Sequence, residues 1–223
     1  MRTFRGIAIA VIAFGIAFGY LEAAVVVYLR AAIGAVGVGP PLDQPPFGSY
    51  AGVEVVREVA TLVMIAAAGW LAGRGGVERL AWAAVVFGTW DVVYYAGLRV
   101  MIGWPPTLDT WDVLFLVPSP WVGPVWAPMV VSAALVAVGL GAARRCRAGG
   151  EVFVGRVEVV AGLAGGAAVI ASFLVDAGRV STGDIGPWSG WPLFWAGMTV
   201  AGLAALRSLR RPLISVGPAI PEG

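Results

Sequence analysis

Six strongly apolar segments of about 20 residues constrain the fold of this chain more than any other feature. They lie at about residues 6–29, 52–72, 80–103, 124–143, 157–176 and 191–206. A helix needs about 20 mainly apolar residues to cross a bilayer, because each residue advances it by about 1.5 Å. The sequence therefore predicts an all-α transmembrane bundle of six spans, forming a single integral membrane domain over residues 1–223.

Composition and charge agree with a membrane protein and exclude several functions. Charged residues are 13% of the chain, against about 25% in soluble domains. The basic residues lie mainly in short loops between apolar segments, so no nucleic-acid partner is predicted and the lipid bilayer is the main surrounding. The chain has no histidine, which excludes histidine-ligated haem, copper and zinc and histidine-dependent catalysis. No other cofactor is indicated, and no metal site is predicted.

Arginine placement predicts the orientation. Eleven arginines lie near the chain ends or in the loops after the second and fourth segments, and four fall on the other side: Arg30, Arg57, Arg99 and Arg179. Cytoplasmic loops carry an excess of arginine and lysine. We therefore expect a protein of the cell inner (cytoplasmic) membrane with both termini in the cytoplasm.

Ionisable residues within the apolar segments are the strongest functional signal. Asp91 lies near the middle of the third segment, with Tyr94 and Tyr95 on the same helical face. A charged side chain at the bilayer centre costs about 2.5–3.5 kcal/mol on insertion scales, so it normally faces a protein interior or a wet cavity. The candidate ligand- or ion-binding residues are Asp91, Glu22, Glu58, Arg57, Arg99, Tyr94 and Tyr95.

Two interpretations of these residues remain open. In the first, they line a polar cavity open to the outer face, with Asp91 as a central proton or cation site. Glu22 and Glu58 then coordinate the ligand or gate the cavity. Arg57 and Arg99 balance charge or hold an anionic group of the ligand. Tyr94 or Tyr95 donates a hydrogen bond. In the second, the same charges form salt bridges between helices and leave no room for a ligand.

The second outer loop predicts a short interfacial helix. The run from Thr110 to Val117 is too short to span a bilayer and is bounded by prolines, which is typical of an interfacial or re-entrant segment. Asp109 is a candidate N-cap for this helix. The first outer loop, residues 31–50, is rich in glycine and proline and is expected to be irregular.

Glycine spacing predicts close helix packing. Gly15 and Gly19 form a GxxxG step, and Gly162, Gly165 and Gly166 give the fifth segment a similar face. These faces pack either within the bundle or against another subunit in a homo- or hetero-oligomer.

Four short strings give a family resemblance. They are Y-L-R at 28–30, R-E-V-A-T at 57–61, W-D-V-V-Y-Y at 90–95 and W-D-V-L-F-L at 111–116. Together they resemble an uncharacterised family of six-span bacterial integral membrane proteins. This resemblance implies a membrane fold and no particular activity.

Three classes of function fit these features, and whether the protein is an enzyme stays open. The first is a protein that binds or transports a small polar solute or cation. The second is a membrane-embedded enzyme that acts on a lipid-linked or isoprenoid substrate, with carboxylates holding Mg²⁺ and arginine holding phosphate. The third is a non-catalytic subunit or assembly factor of a membrane complex. The residues favour the first.

Overall fold

The computed structural model describes residues 3–32, 51–117, 119–180 and 186–210. Arg2, Asp184, Arg211 and nearly all of the loop at 31–50 lie outside the described residues, so the predictions that concern them stay predictions.

Helices form most of the described chain. They are α1 (Phe4–Ala32), α2 (Ala51–Ala72), α3 (Gly76–Ile102), α4 (Trp126–Arg147), α5 (Arg156–Leu174), a short α6 (Ala177–Val180) and α7 (Trp191–Arg210). Six of them are long and apolar enough to cross a membrane, as many as the spans predicted from the sequence. Several end later than predicted, because arginines in a last turn favour the negative end of the helix dipole. Arg147 ends α4 in this way.

The helices pack in two groups. In the first group α3 is central and packs against α1, α2 and α4, whereas in the second α5 pairs with α7. Few residues of α4 and α7 meet between the groups. This division leaves space between the first group and the α5–α7 pair.

Glycines allow the close approaches within each group. A Cβ at Gly15 would lie 2.8 Å from Cβ of Thr89 on α3, and one at Gly165 would lie 2.7 Å from the backbone of Gly197 on α7. Real Cβ contacts do not come so close, so larger residues would push these helices apart. The Gly15 and Gly165 faces are therefore occupied inside the chain.

A β-hairpin replaces the predicted short helix. Strands β1 (Trp111–Phe115) and β2 (Trp121–Pro124) pair antiparallel, with Asp112 opposite Gly123. The helix prediction was wrong because an aromatic and β-branched run of this length suits a strand equally well. Its partner strand ends at Pro124, which the sequence assigned to the start of the fourth span. Asp109 consequently caps no helix here. We call the end of the bundle that carries β1 and β2 the hairpin end.

Candidate functional site

A cavity of about 630 Å³ lies between the two helix groups. Its walls come from α1, α2, α3, the hairpin and α4 on one side, and from α5 and α7 on the other. Cavities that bind small molecules and cofactors are typically about 300–1,000 Å³. The space is therefore large enough for a ligand. The charged residues between the helices do not fill it with salt bridges, contrary to the second interpretation of the sequence.

The polar lining of the cavity is concentrated at the hairpin end. Those residues lie on the last turns of α1, the first turns of α2, the second half of α3 and β1. They are Arg30, Arg57, Glu58, Thr61, Asp91, Tyr94, Tyr95 and Asp112.

Asp91 lines the cavity from the middle of α3. Its side chain is mostly buried, since the residue is 8% exposed. Ser132 Oγ on α4 donates a hydrogen bond of 2.7 Å to Asp91 Oδ2. This contact depends on Gly88, one turn earlier, because a Cβ there would collide with the carbonyl of Ser132. Within the described ranges, Oδ1 of Asp91 has no hydrogen-bond donor.

Tyr95 and Asp112 join α3 to the hairpin. The Tyr95 hydroxyl donates to Asp112 Oδ2 at 2.9 Å. Asp112 lies outside the membrane-spanning helices, and its burial raises the pKa from 3.8 to about 6. The charge of Arg30 and the hydrogen bond from Tyr95 oppose that rise only in part. Tyr94 also lines the cavity, and its hydroxyl has no hydrogen-bond partner in the part of the chain that the structure describes.

Glu58 holds the hairpin against α2. Both of its carboxylate oxygens accept from the backbone N–H of Leu116, each at 3.0 Å. Leu116 directly follows β1, so this contact fixes where the strand lies. Glu58 lines the cavity, but its hydrogen bonds give it a structural role as well.

Arg57 is held between two acids. Its Nε and Nη2 donate to Glu54 Oε2 at 3.0 and 2.8 Å, and its Nη1 contacts Glu22. Thr61 donates to the other oxygen of Glu22 at 3.2 Å. Here the salt-bridge interpretation describes the geometry, because Glu22 lies behind Arg57 and is not part of the cavity lining.

Arg99 lies apart from the other candidate residues. It is exposed, and its Nη1 donates to the carbonyl oxygens of Gly103 at 2.6 Å and Pro105 at 3.0 Å. It therefore closes the C-terminal end of α3. The structure brings the remaining six candidates to the hairpin end and leaves Arg99 outside the cavity lining.

Several polar residues of this region were not among the sequence candidates, including Glu54 and Thr61 beside Arg57. Arg30 is 4% exposed and lies over the Trp104 ring at 4.1 Å from its centroid. Asp112 was assigned to a surface helix, and Ser132 was not distinguished from other small residues of its segment. Arg30 and Asp112 carried a usable signal, since both are charged residues beside apolar segments. Ser132 carried none.

Aromatic rings surround the polar end of the cavity. Phe87, Asp91, Tyr94 and Tyr95 have i−4, i, i+3 and i+4 spacing, so they share one face of α3. The rings that line the cavity are those of Phe87, Trp90, Tyr94, Tyr95, Phe115, Trp121 and Phe173.

The rest of the cavity is apolar and extends away from the hairpin end. Gly162 and Phe173 on α5 both line it, and 11 residues of helix between them correspond to about 16 Å. Gly162 and Gly166 add no side chain to this wall, and no atom lies within 4 Å of where their Cβ atoms would be. The other apolar lining residues include Leu135, Val138, Met198, Ala201 and Ala205.

The cavity opens sideways between α2 and α5. Val59 and Leu62 on α2 line the cavity yet are 50% and 47% exposed, and Ile170 on α5 is 40% exposed. Helix α2 packs mainly against α3, and the described residues form no packed α2–α5 interface. In a bilayer, this opening would face lipid.

A separate charged cluster lies at the opposite end of the bundle. Glu78 accepts from Arg74 Nε at 3.1 Å, from Arg147 Nε at 2.5 Å and from Trp82 Nε1 at 3.3 Å. Glu78 is 3% exposed and is fully hydrogen-bonded. This cluster joins α3 to α4 and does not line the cavity.

The carboxylates of the cavity do not form a recognisable metal centre. Across the described ranges, no group of three or more histidine, cysteine, aspartate or glutamate side chains is placed to hold one metal ion. Asp91, Asp112 and Glu58 are the carboxylates that line the cavity.

Comparisons with models of protein families, with curated proteins and with solved structures found no match to this chain. The resemblance to a six-span bacterial membrane family therefore stays a prediction. Function is inferred from the cavity itself.

Proposed function

We propose that this protein binds an amphiphilic molecule, with its polar group at the hairpin end of the cavity and its hydrocarbon chain between α4, α5 and α7. One observation supports this proposal above all. The charged and hydroxyl side chains of the lining are concentrated at one end, whereas the remaining walls are apolar and open towards lipid. A lipid or isoprenoid has the same division into a polar end and an apolar chain.

The polar end should provide most of the selectivity. A hydrocarbon chain gains little by moving from lipid tails to an apolar cavity, because both surroundings are equally apolar. Hydrogen bonds to charged groups contribute about 1.5–3 kcal/mol each. The lateral opening supplies a route by which such a molecule reaches the cavity from the membrane.

The other function classes fit the geometry less well. A small polar solute or cation would occupy the hairpin end and leave the apolar part of the cavity unfilled. An enzyme acting on a lipid-linked or isoprenoid substrate would use the same cavity, so binding is the step shared by both hypotheses. An assembly role would be favoured by a free GxxxG face, but Gly15 and Gly19 pack against α3.

The arginine distribution supports an orientation for this proposal. It favours an orientation with the hairpin end outside and both termini in the cytoplasm of a cell with an inner membrane. The hairpin then lies at the outer membrane surface, where tryptophans such as Trp111 and Trp121 are favoured at headgroup level. The polar group of the ligand would lie beneath it.

A cavity-filling substitution tests the proposal. No atom lies within 4 Å of a Cβ built at Gly166, so Gly166→Phe projects a ring into the apolar part of the cavity. Gly52→Phe is the matched control, because Gly52 is exposed on α2, equally uncrowded and outside the cavity lining. Each protein would be purified in mild detergent and analysed by native mass spectrometry and lipid extraction.

We expect a bound amphiphile with the wild type and with Gly52→Phe, and its loss from Gly166→Phe at unchanged thermal stability. Equal retention in all three proteins would contradict the proposal. A wild type that is stable but retains no amphiphile, even after incubation with membrane lipid extract, would also contradict it.

A further inference from the structure

Carboxyl groups outnumber arginines around the polar end of the cavity. Of the residues that line the cavity or form a salt bridge with Arg57, five carry a carboxyl group and two are arginines. The acids are Glu22, Glu54, Glu58, Asp91 and Asp112, and the arginines are Arg30 and Arg57. Buried charges in a membrane protein are normally paired. A positively charged ligand would reduce this imbalance, whereas an anionic ligand would increase it.

The arginines are already engaged with protein groups. Arg57 donates hydrogen bonds from Nε and Nη2 to Glu54 and from Nη1 to Glu22. Arg30 stacks on the Trp104 ring. An anionic group in the cavity would have to compete with these contacts.

Asp91 and Tyr94 line the cavity, and each has a hydrogen-bonding oxygen with no partner among the described residues. Asp91 is more than nine-tenths buried and lines the cavity. Its Oδ2 accepts from Ser132, and nothing in the described chain donates to its Oδ1. The Tyr94 hydroxyl, one turn further along α3, also has no partner among the described residues. By contrast, the two oxygens of Glu58 share one donor, the Leu116 N–H, which positions this carboxylate against the hairpin.

Several aromatic rings line the cavity together with Asp91. The ring centroid of Trp90 lies 5.4 Å from that of Phe87 and 6.3 Å from that of Tyr94. The faces of such rings attract cations through their quadrupoles, and ammonium groups are commonly bound by clusters of them. A carboxylate beside several rings is therefore suited to an alkylammonium group.

We infer that the polar group of the amphiphile is a cation, an alkylammonium that donates to Asp91 Oδ1 and lies against the rings of Phe87, Trp90 and Tyr94. This inference rests on the proposed function and narrows its ligand class to long-chain amines and related cationic amphiphiles.

Three probes with the same 12-carbon chain separate the two claims. They are dodecylamine, which is cationic at neutral pH, dodecanol, which is neutral, and dodecanoate, which is anionic. Binding of each would be titrated by native mass spectrometry in one non-ionic detergent. Comparing variants at a fixed probe removes the differences in how the probes partition into micelles.

The test variant is Asp91→Asn, which keeps an acceptor for Ser132 and removes the charge. We expect it to weaken dodecylamine binding by about tenfold or more, the size of one charge-assisted contact, and to change dodecanol binding by less than about twofold. The matched control is Asp109→Asn, the same change at an exposed carboxylate of the hairpin end, with no expected effect on any probe.

A second pair of variants covers the case in which Asp91→Asn does not fold. Tyr94→Leu removes an aromatic face and should weaken dodecylamine by about threefold or more, whereas Tyr94→Phe keeps the face and should retain most binding of that probe. Dodecanol should bind both equally.

The outcomes distinguish the inference from the proposed function. If dodecylamine binding is insensitive to Asp91 and to Tyr94, or if Asp91→Asn weakens dodecanol or dodecanoate binding as much as it weakens dodecylamine binding, the cationic assignment is overturned and amphiphile binding stands. If no probe binds the wild type, both are overturned.

Discussion

Ser132 on α4 donates a hydrogen bond of 2.7 Å to Oδ2 of Asp91 on α3. Ser132 is fully buried at 0% exposure, so losing its hydroxyl removes the donor that α4 supplies to Oδ2. The same bond joins two helices and orients a carboxylate in the cavity wall. Stability and ligand binding are therefore expected to change together when it is removed.

Ser132→Ala should lower the free energy of unfolding by about 1 kcal/mol, because a buried acceptor loses its donor and interhelical hydrogen bonds in membranes are worth about 0.6–2 kcal/mol. Unfolding in mixed micelles with increasing SDS measures the effect. The matched control is Ser172→Ala. Ser172 is equally buried, but its hydroxyl donates to the Val169 carbonyl within the same helix, so a smaller loss is expected. Equal losses in the two variants would show that the hydrogen bond from Ser132 to Asp91 adds no more to the free energy of unfolding than the bond within α5 does.

Glu58→Ala should release the hairpin from α2. The Leu116 N–H would lose both acceptors, so we expect its amide hydrogen to exchange at least about tenfold faster, which corresponds to about 1.4 kcal/mol of lost protection. Hydrogen exchange followed by mass spectrometry measures this. The Val125 amide, bonded to the Thr110 carbonyl at 2.9 Å, is the internal reference. Equal acceleration at both amides would mean general unfolding of the hairpin region.

Arg57 and Arg99 should differ sharply in their effect on stability. Arg57→Gln leaves the two acids it contacts, Glu22 and Glu54, without their cation, and breaking a buried ion pair costs about 3–5 kcal/mol. Arg99→Gln changes an exposed side chain that donates to two carbonyl oxygens, so a loss of about 1 kcal/mol or less is expected. Unfolding of both variants under the same conditions measures the difference. Similar losses would contradict the separation of these two arginines.

Asp112 should make stability depend on pH. Its pKa is raised from 3.8 to about 6 by burial, while Tyr95, Arg30 and the Val113 N–H face it and partly oppose the rise. Folding therefore favours the protonated form, so the contribution is complete below about pH 4 and is lost as pH rises through about 6. A shift of about 2 units corresponds to at most about 3 kcal/mol.

Melting curves between pH 4 and pH 8 measure this dependence. Asp112→Asn does not titrate, so the melting temperature of the wild type should fall relative to that of the variant as pH rises. Tyr95→Phe removes the hydrogen bond to the carboxylate, and its midpoint should lie at higher pH than that of the wild type. Parallel curves for wild type and Asp112→Asn would contradict the prediction.

The six spans were predictable because each apolar run is long and is bounded by arginine, glycine or proline. The hairpin was not, since its two strands are short and periodicity does not separate a short apolar strand from a short helix. Pairing between Asp112 and Gly123 depends on a turn that brings the strands together. Local sequence does not specify that pairing.

The site was predictable only in part. Asp91 stands out by its depth in an apolar segment, but Ser132 is 41 residues away and is recognised only once α3 and α4 pack. The partner of Glu58 is a backbone amide, which no side chain marks. Arg99 was grouped with Asp91 because both lie on α3, yet eight residues of helix separate them by about 12 Å and about 80° of rotation.

Under the proposed function, the gap between α2 and α5 would let a ligand enter the cavity directly from the bilayer. A molecule that reaches the cavity through this gap never leaves the bilayer, so it searches in two dimensions and its relevant concentration is its mole fraction in the membrane. Occupancy would then follow the lipid composition around the protein and would be nearly independent of the volume of surrounding water.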